Sequence, residues 1–178
     1  MKNILNKYAN KKEFVCVYSN KNRLSVFDYA KVLAANDDYT VLYQIAPNGK
    51  YDGVSLEETE AIIRVEQNDV YDEKMRRLMF GKLFPEAIES WNLDDLCRSF
   101  LTVAQNKKTI IQASLLGSDN TDIMGFVTQI EGDICEIALV DEYGYPDGNT
   151  FIRLVDFSWI ACESEDCLVI QKLWESRL

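Results

Sequence analysis

The feature that most constrains the fold of this chain is that it repeats itself. Leu5, Asn10, Lys11 and Lys12 recur 96 places on as Leu101, Asn106, Lys107 and Lys108. Each block leads into an apolar run, Phe14–Tyr18 in one case and Ile110–Leu115 in the other. Further along, Gly49, Asp52 and Gly53 recur as Gly144, Asp147 and Gly148 at an offset of 95. Val32 and Val127, Asp38 and Asp133, and Leu78 and Leu173 keep that offset. Self-similarity at one period, in one order, is the signature of a duplicated structural unit. The drift from 96 to 95 corresponds to about one net deletion. The reading is therefore two copies, residues 1–78 and 96–178, joined by residues 79–95. This linker is too apolar for a flexible tether, with Phe80, Phe84, Ile88 and Trp91. It is expected to be ordered and to pack between the copies. Pro85 is expected to break the helix before it or start the one after it.

Each copy reads as helix, then short strands, then helix. Leu93, Leu96, Cys97, Phe100, Leu101 and Ala104 lie on one face at helical spacing. Asn92 and Asp95 resemble a capping box. Ile4, Leu5 and Tyr8 form the shorter face of the first copy. Strand-like runs follow at Phe14–Tyr18, Thr40–Ile45, Phe126–Ile130 and Ile134–Val140, with turns at 36–38 and 131–133. Each Gly-x-x-x-Gly element is expected to be a compound turn in which Asp52 or Asp147 bonds local backbone. Calcium would demand more acidic oxygens than these loops hold, and a phosphate cradle would need a P-loop lysine. Short strands are expected near Ala61–Val65 and Phe157–Ala161. Terminal helices carry the stripes Tyr71, Met75, Leu78 and Cys167, Ile170, Trp174.

Composition narrows the function. With 47% hydrophobic and 27% charged residues the chain can bury a core. It has no apolar run long enough to cross a bilayer as a helix, and Met1–Lys12 lacks the apolar stretch of a signal peptide, so a cytoplasmic address is expected. The net charge is −10 and unevenly spread. Residues 1–78 hold 12 basic and 12 acidic side chains, whereas 97–178 hold 6 and 13. An acidic second half disfavours broad binding to phosphate backbones or anionic lipid. Histidine is absent, which removes His-dependent nucleophilic and acid–base catalysis and most zinc sites. The five cysteines, Cys16, Cys97, Cys135, Cys162 and Cys167, are scattered without a CxxC pair and read as buried small apolar residues. No cofactor or metal is expected.

A helix followed by about five short, bent antiparallel strands, twice over and with a terminal helix each time, resembles the Sm-like (Lsm) small-barrel family. The arrangement is also similar to tandem-barrel proteins of low-GC bacteria. The fold expected is mainly β with flanking helices, an α+β chain of two small barrels. The family's first motif is approached by Asp37-Asp38 before Tyr39–Leu42, without its asparagine. Its second is approached by Ile62-Ile63-Arg64-Val65, without its glycine, and the second copy has Trp159-Ile160-Ala161 there. The resemblance implies edge-to-edge association of units.

Three functions are weighed on these residues. The first is a non-enzymatic interaction or regulatory module that binds a protein partner or itself, with Tyr143, Tyr145 and Trp159 as anchors. The second is RNA binding by the neutral first copy, through Lys7, Lys11, Lys12, Lys21 and Arg23 with Tyr18 and Tyr39 to stack bases. The third is a small hydrolase-type enzyme using carboxylates such as Glu57, Glu58 and Glu60.

Overall fold

A computed structural model describes residues 1–20, 23–87, 90–118 and 123–177. The chain is mixed α+β, with antiparallel strands and four α-helices. It divides into two compact units between Leu96 and Cys97.

The first unit opens with α1 (Lys2–Lys11), which buries Leu5 and ends where Lys12 turns left-handed at φ 54°. Strands β1 (Phe14–Tyr18), β2 (Asp28–Ala35), β3 (Tyr39–Ile45) and β4 (Tyr51–Glu58) follow. A single 3-10 turn, Thr59–Ala61, then carries the chain back to β5 (Arg64–Glu66) and α2 (Asp69–Met79). The strand order is β5-β1-β2-β3-β4. Its core gathers Leu5, Val15, Val17, Ala30, Val32, Leu42 and Ile62. Asn68 caps α2, its side chain accepting from the Tyr71 N–H, and Asp69 and Asp72 sit in the positive first turn.

The second unit repeats this order. It comprises α3 (Leu96–Lys107), β6 (Ile110–Leu115), β7 (Ile123–Glu131), β8 (Ile134–Val140), β9 (Pro146–Arg153), a 3-10 turn (Leu154–Asp156), β10 (Phe157–Cys162) and α4 (Glu165–Glu175). The strand order is β10-β6-β7-β8-β9. Ile110, Val140 and Cys167 form a core cluster with Met124, Phe126, Ile170 and Trp174 packed on it.

The repeat survives in detail. Thr59 N–H donates to Asp38 C=O and Leu154 N–H donates to Asp133 C=O, both at 2.8 Å. Lys2 pairs with Asp37 at 2.7 Å, while Arg98 donates to the Gly132 carbonyl in the same place. Gly53 and Gly148 have φ 85° and 84°. Both sit where the ladder with the preceding strand slips by one residue, a bulge that favours glycine.

Several expectations need correction. The hydrogen-bonded ladder of each unit is open rather than a closed barrel, since β5 pairs with β1, β10 with β6, and neither returns to the strand before it. Segment 79–95 is described through residue 87 and again from residue 90. Through residue 87 it is tied to the first unit, where the Tyr43 hydroxyl donates to Pro85 C=O at 2.9 Å and the Lys82 ammonium to the carbonyls of Asn48 and Gly49 at 3.0 Å. The Asn36 amide reaches Leu93 C=O at 3.0 Å. Pro85 neither ends nor starts a helix, and Phe80 is 90% exposed despite its apolar ring. Ile88 lies outside the described residues. Asn48 and Asp141 hold the turns before β4 and β9, their side chains accepting from backbone N–H groups at each turn's first bend, and Asp147 does not take that part.

Candidate interaction surfaces

The strand β9 is the most open extended segment of the second unit. It has eight residues, pairs with β8 alone among the described residues, and is exposed at Pro146–Asn149, Phe151 and Arg153. Its counterpart β4 is buried from Gly53 to Glu57. An edge strand of this length presents a row of unpaired backbone N–H and C=O groups, the template on which another strand can pair. Phe151 is 67% exposed and Val155, just beyond the strand, 64%.

The turn leading into β9 sets the two tyrosines. Asp141 Oδ1 accepts from the N–H of Tyr143 at 3.0 Å and of Tyr145 at 2.7 Å, so the carboxylate adds to the backbone bonds between Asp141 and Gly144 and between Asp141 and Tyr145. Gly144 between them has φ 81° and lies so close to α4 that a methyl group there would fall on Leu173. The ring of Tyr145 carries the Arg177 guanidinium at 4.8 Å, and the same guanidinium lies 4.6 Å from the Trp174 ring. Tyr143 and Tyr145 therefore flank one end of β9 and stay exposed. Trp159 does not join them. It lies on β10, at the opposite end of the strand order, opposite Ser114 and partly buried.

The basic residues of the first unit do not form one patch. Lys7, Lys11 and Lys12 lie on or just after α1, and Lys11 pairs with Glu13 at 3.4 Å. Arg23 lies beyond the far end of β1, a strand roughly 17 Å long, and Lys21 is outside the described residues. Tyr18 is buried, with Arg64 stacked 3.6 Å above its ring and its hydroxyl on Glu66 at 3.0 Å, so no face is left for a base. Tyr39 is half-buried at the β2–β3 turn, where its N–H donates to Asn36 Oδ1 at 2.6 Å. Sequence placed these side chains near one another in number; the loop after β1 carries Arg23 away from the helix.

The acidic run behaves in an unforeseen way. Glu57 is buried inside the unit at 4% exposure. Desolvation, then the negative charge of Asp28, pushes its carboxyl up to about 8, partly opposed by a hydrogen bond from the Ser19 hydroxyl. Asp28 is itself raised to about 6 by burial and by Asp52. Glu58 is half-buried and Glu60 exposed, so the three do not converge. No signal in sequence marks this: the alternation of Val54 and Leu56 with Ser55 and Glu57 points Glu57 outward, whereas β4 is buried on both faces from Gly53 to Glu57.

A second cluster joins β1, β2 and α2. Tyr29 stacks on Phe14 at 5.0 Å and meets Tyr71 edge-on at 5.4 Å, and Asp72 lies near its hydroxyl. Burial, with Asp72 and Glu66 nearby, pushes the Cys16 thiol up to about 11, so it stays protonated. All five cysteines are buried and unbridged.

The first unit also holds a half-open cleft of about 930 Å³ between the end of α1, the outer face of β1–β3 and residues 79–87. None of the raised carboxyls lines it. Among the described residues no group of three His, Cys, Asp or Glu side chains is placed to hold a metal, and no helix is long and apolar enough to cross a membrane. Comparison with protein-family models, curated proteins and solved structures finds no match to this chain.

Proposed function

We propose that this chain is a non-enzymatic interaction module of two Sm-like units, open rather than closed, and that it takes an extended polypeptide strand on β9. The observation that carries the reading is the bare eight-residue edge of β9, flanked by exposed Phe151, Tyr143 and Tyr145. Main-chain pairing along such an edge supplies affinity, and alternate side chains supply choice of partner. The Sm-like reading is supported by the recurrence of helix, four strands, 3-10 turn and returning fifth strand in each unit. A partner strand is expected to be neutral or basic, since Asp147 lies on the strand and Asp141 and Glu142 in the turn before it, in a unit already rich in acid.

The test is capture of partners from native lysate, with and without nuclease, by the natural chain and by Phe151→Lys. A lysine on an edge strand opposes strand addition and, at an exposed position, leaves the fold intact. The reading expects a protein partner retained after nuclease and lost with Phe151→Lys, with slowed amide exchange along β9 in the complex. Loss on nuclease treatment, or retention by Phe151→Lys, contradicts it. RNA binding through the first unit is the lesser reading, because its basic residues are divided between two ends of β1.

A further inference from the structure

The two units serve as each other's control on the outer face of the sheet. In the second, Ile110, Phe126 and Ala138 form one cross-strand row. Trp174 of α4 closes over it, its ring 5.3 Å from that of Phe126. In the first unit the row is Phe14, Lys31 and Tyr43. The residue matching Trp174 is Met79, since Leu78 faces Gly49 as Leu173 faces Gly144. An aromatic plug over an aromatic floor has thus become a thin side chain over a cation. The space left is the cleft of about 930 Å³, roofed by Phe84–Ala87.

The cleft is of mixed character: Phe14, Leu33, Tyr43, Met79 and Phe84 give it apolar walls, and a nearly equal polar surface includes Asn10 and the charged side chains. Its cations are Lys31 and Lys12, against a single carboxylate, Glu86, in a protein of net charge −10. The Lys31 ammonium rests 4.6 Å from the Phe14 ring centroid, and among the described residues no carboxylate pairs with it. The Tyr43 hydroxyl is spent on Pro85 C=O, which ties the roof to the floor and preforms the space. Pockets of a few hundred cubic ångströms with apolar walls and a few convergent polar groups are the usual form of small-ligand sites.

We infer that this cleft binds an amphipathic organic anion, with a carboxylate or sulfonate at Lys31 and an apolar body lying where the second unit places Trp174. The anion's headgroup exchanges the weak ring contact of Lys31 for an ion pair in a partly desolvated site, where such pairs are stronger than at an open surface.

Calorimetric titration with dodecanoate and with dodecyltrimethylammonium, below their micelle concentrations, tests this directly. The expected result is one dodecanoate per chain with Kd of roughly 10–100 µM and at least about tenfold weaker binding of the cationic amphiphile. Amide shifts should move at 31–33, 43 and 84–87. Lys31→Glu should weaken dodecanoate about tenfold or more. The double variant Lys31→Phe/Met79→Trp rebuilds the plug of the second unit and should abolish binding. If the plugged variant proves unstable, Lys31→Glu decides. Absence of saturable binding up to roughly 1 mM, equal binding of both amphiphiles, undiminished binding by Lys31→Glu, or shifts confined to the second unit would overturn the inference.

Discussion

At the scale of single residues, the strongest departures from ordinary chemistry are carboxyls that cannot ionise freely. Glu57 is held protonated by desolvation and by the neighbouring Asp28. Its folded value, about 8, lies above the unfolded value near 4.5, so the folded state binds the extra proton between those limits. The stability this proton provides is complete below about pH 4 and is lost as pH rises toward 8; Asp28 adds to the same trend through pH 6. Urea unfolding is therefore expected to show the natural chain losing on the order of 1–3 kcal/mol between pH 5 and pH 8.5. Glu57→Gln, which keeps the shape and removes the charge, should flatten at least half of that slope; an unchanged slope would show that Glu57 does not cause it. The thiols make a simpler case. All five are buried, so the folded chain should react with less than about one equivalent of a thiol reagent within minutes, and with five after unfolding.

At the scale of elements, the matched glycines separate two causes of strain. Gly148 is left-handed at φ 84° with open space where a Cβ would go, whereas Gly144, at φ 81°, has no room because of Leu173. Gly148→Ala should cost about 1–2 kcal/mol, the backbone term alone. Gly144→Ala should cost clearly more, since α4 must also shift, and equal losses in urea midpoints would contradict the packing argument. These elements also show what sequence could and could not reveal. The strand Ile134–Val140 and the turns at 36–38 and 131–133 were legible because β-branched runs end in turn residues. Strands β4 and β9 were hidden because each carries a glycine in its body, which read as turn. Strand β2 was hidden by Ala and Lys, which carry little strand propensity. Helix α3 begins at Leu96, and the Asn92 side chain instead accepts from Asp94 N–H at 3.1 Å, a local turn before the helix.

At the scale of the whole molecule, duplication explains why one chain offers two dissimilar surfaces. A copied unit starts with two equivalent faces and can specialise each. Here β9 is bare while β4 is buried, and the outer face is open in the first unit while Trp174 fills it in the second. The candidate anchors were only partly legible in sequence. Tyr143 and Tyr145 share a turn and stay together, but Trp159 is brought to the other end of the strand order by the 3-10 crossover. The separation of Arg23 from the lysines of α1 likewise depends on β1 lying between them, which no local pattern encodes. The cleft was invisible for the same reason, since it arises from the pairing of Lys31 with Phe14 and Tyr43.

The central claim is that each copy still folds around an apolar centre of its own, Leu5 with Val15 and Leu42 in one and their buried counterparts Leu101, Ile111 and Ile137 in the other. Native-state hydrogen exchange on Ile111→Ala measures it most directly. The account expects the opening free energies of slow amides in α3, β6 and β8 to fall by about 2–4 kcal/mol, while those of α1, β1 and β2 stay within about 0.5 kcal/mol of the natural chain. An equal fall in both sets would mean one undivided core, and the account of two copies would fail with it.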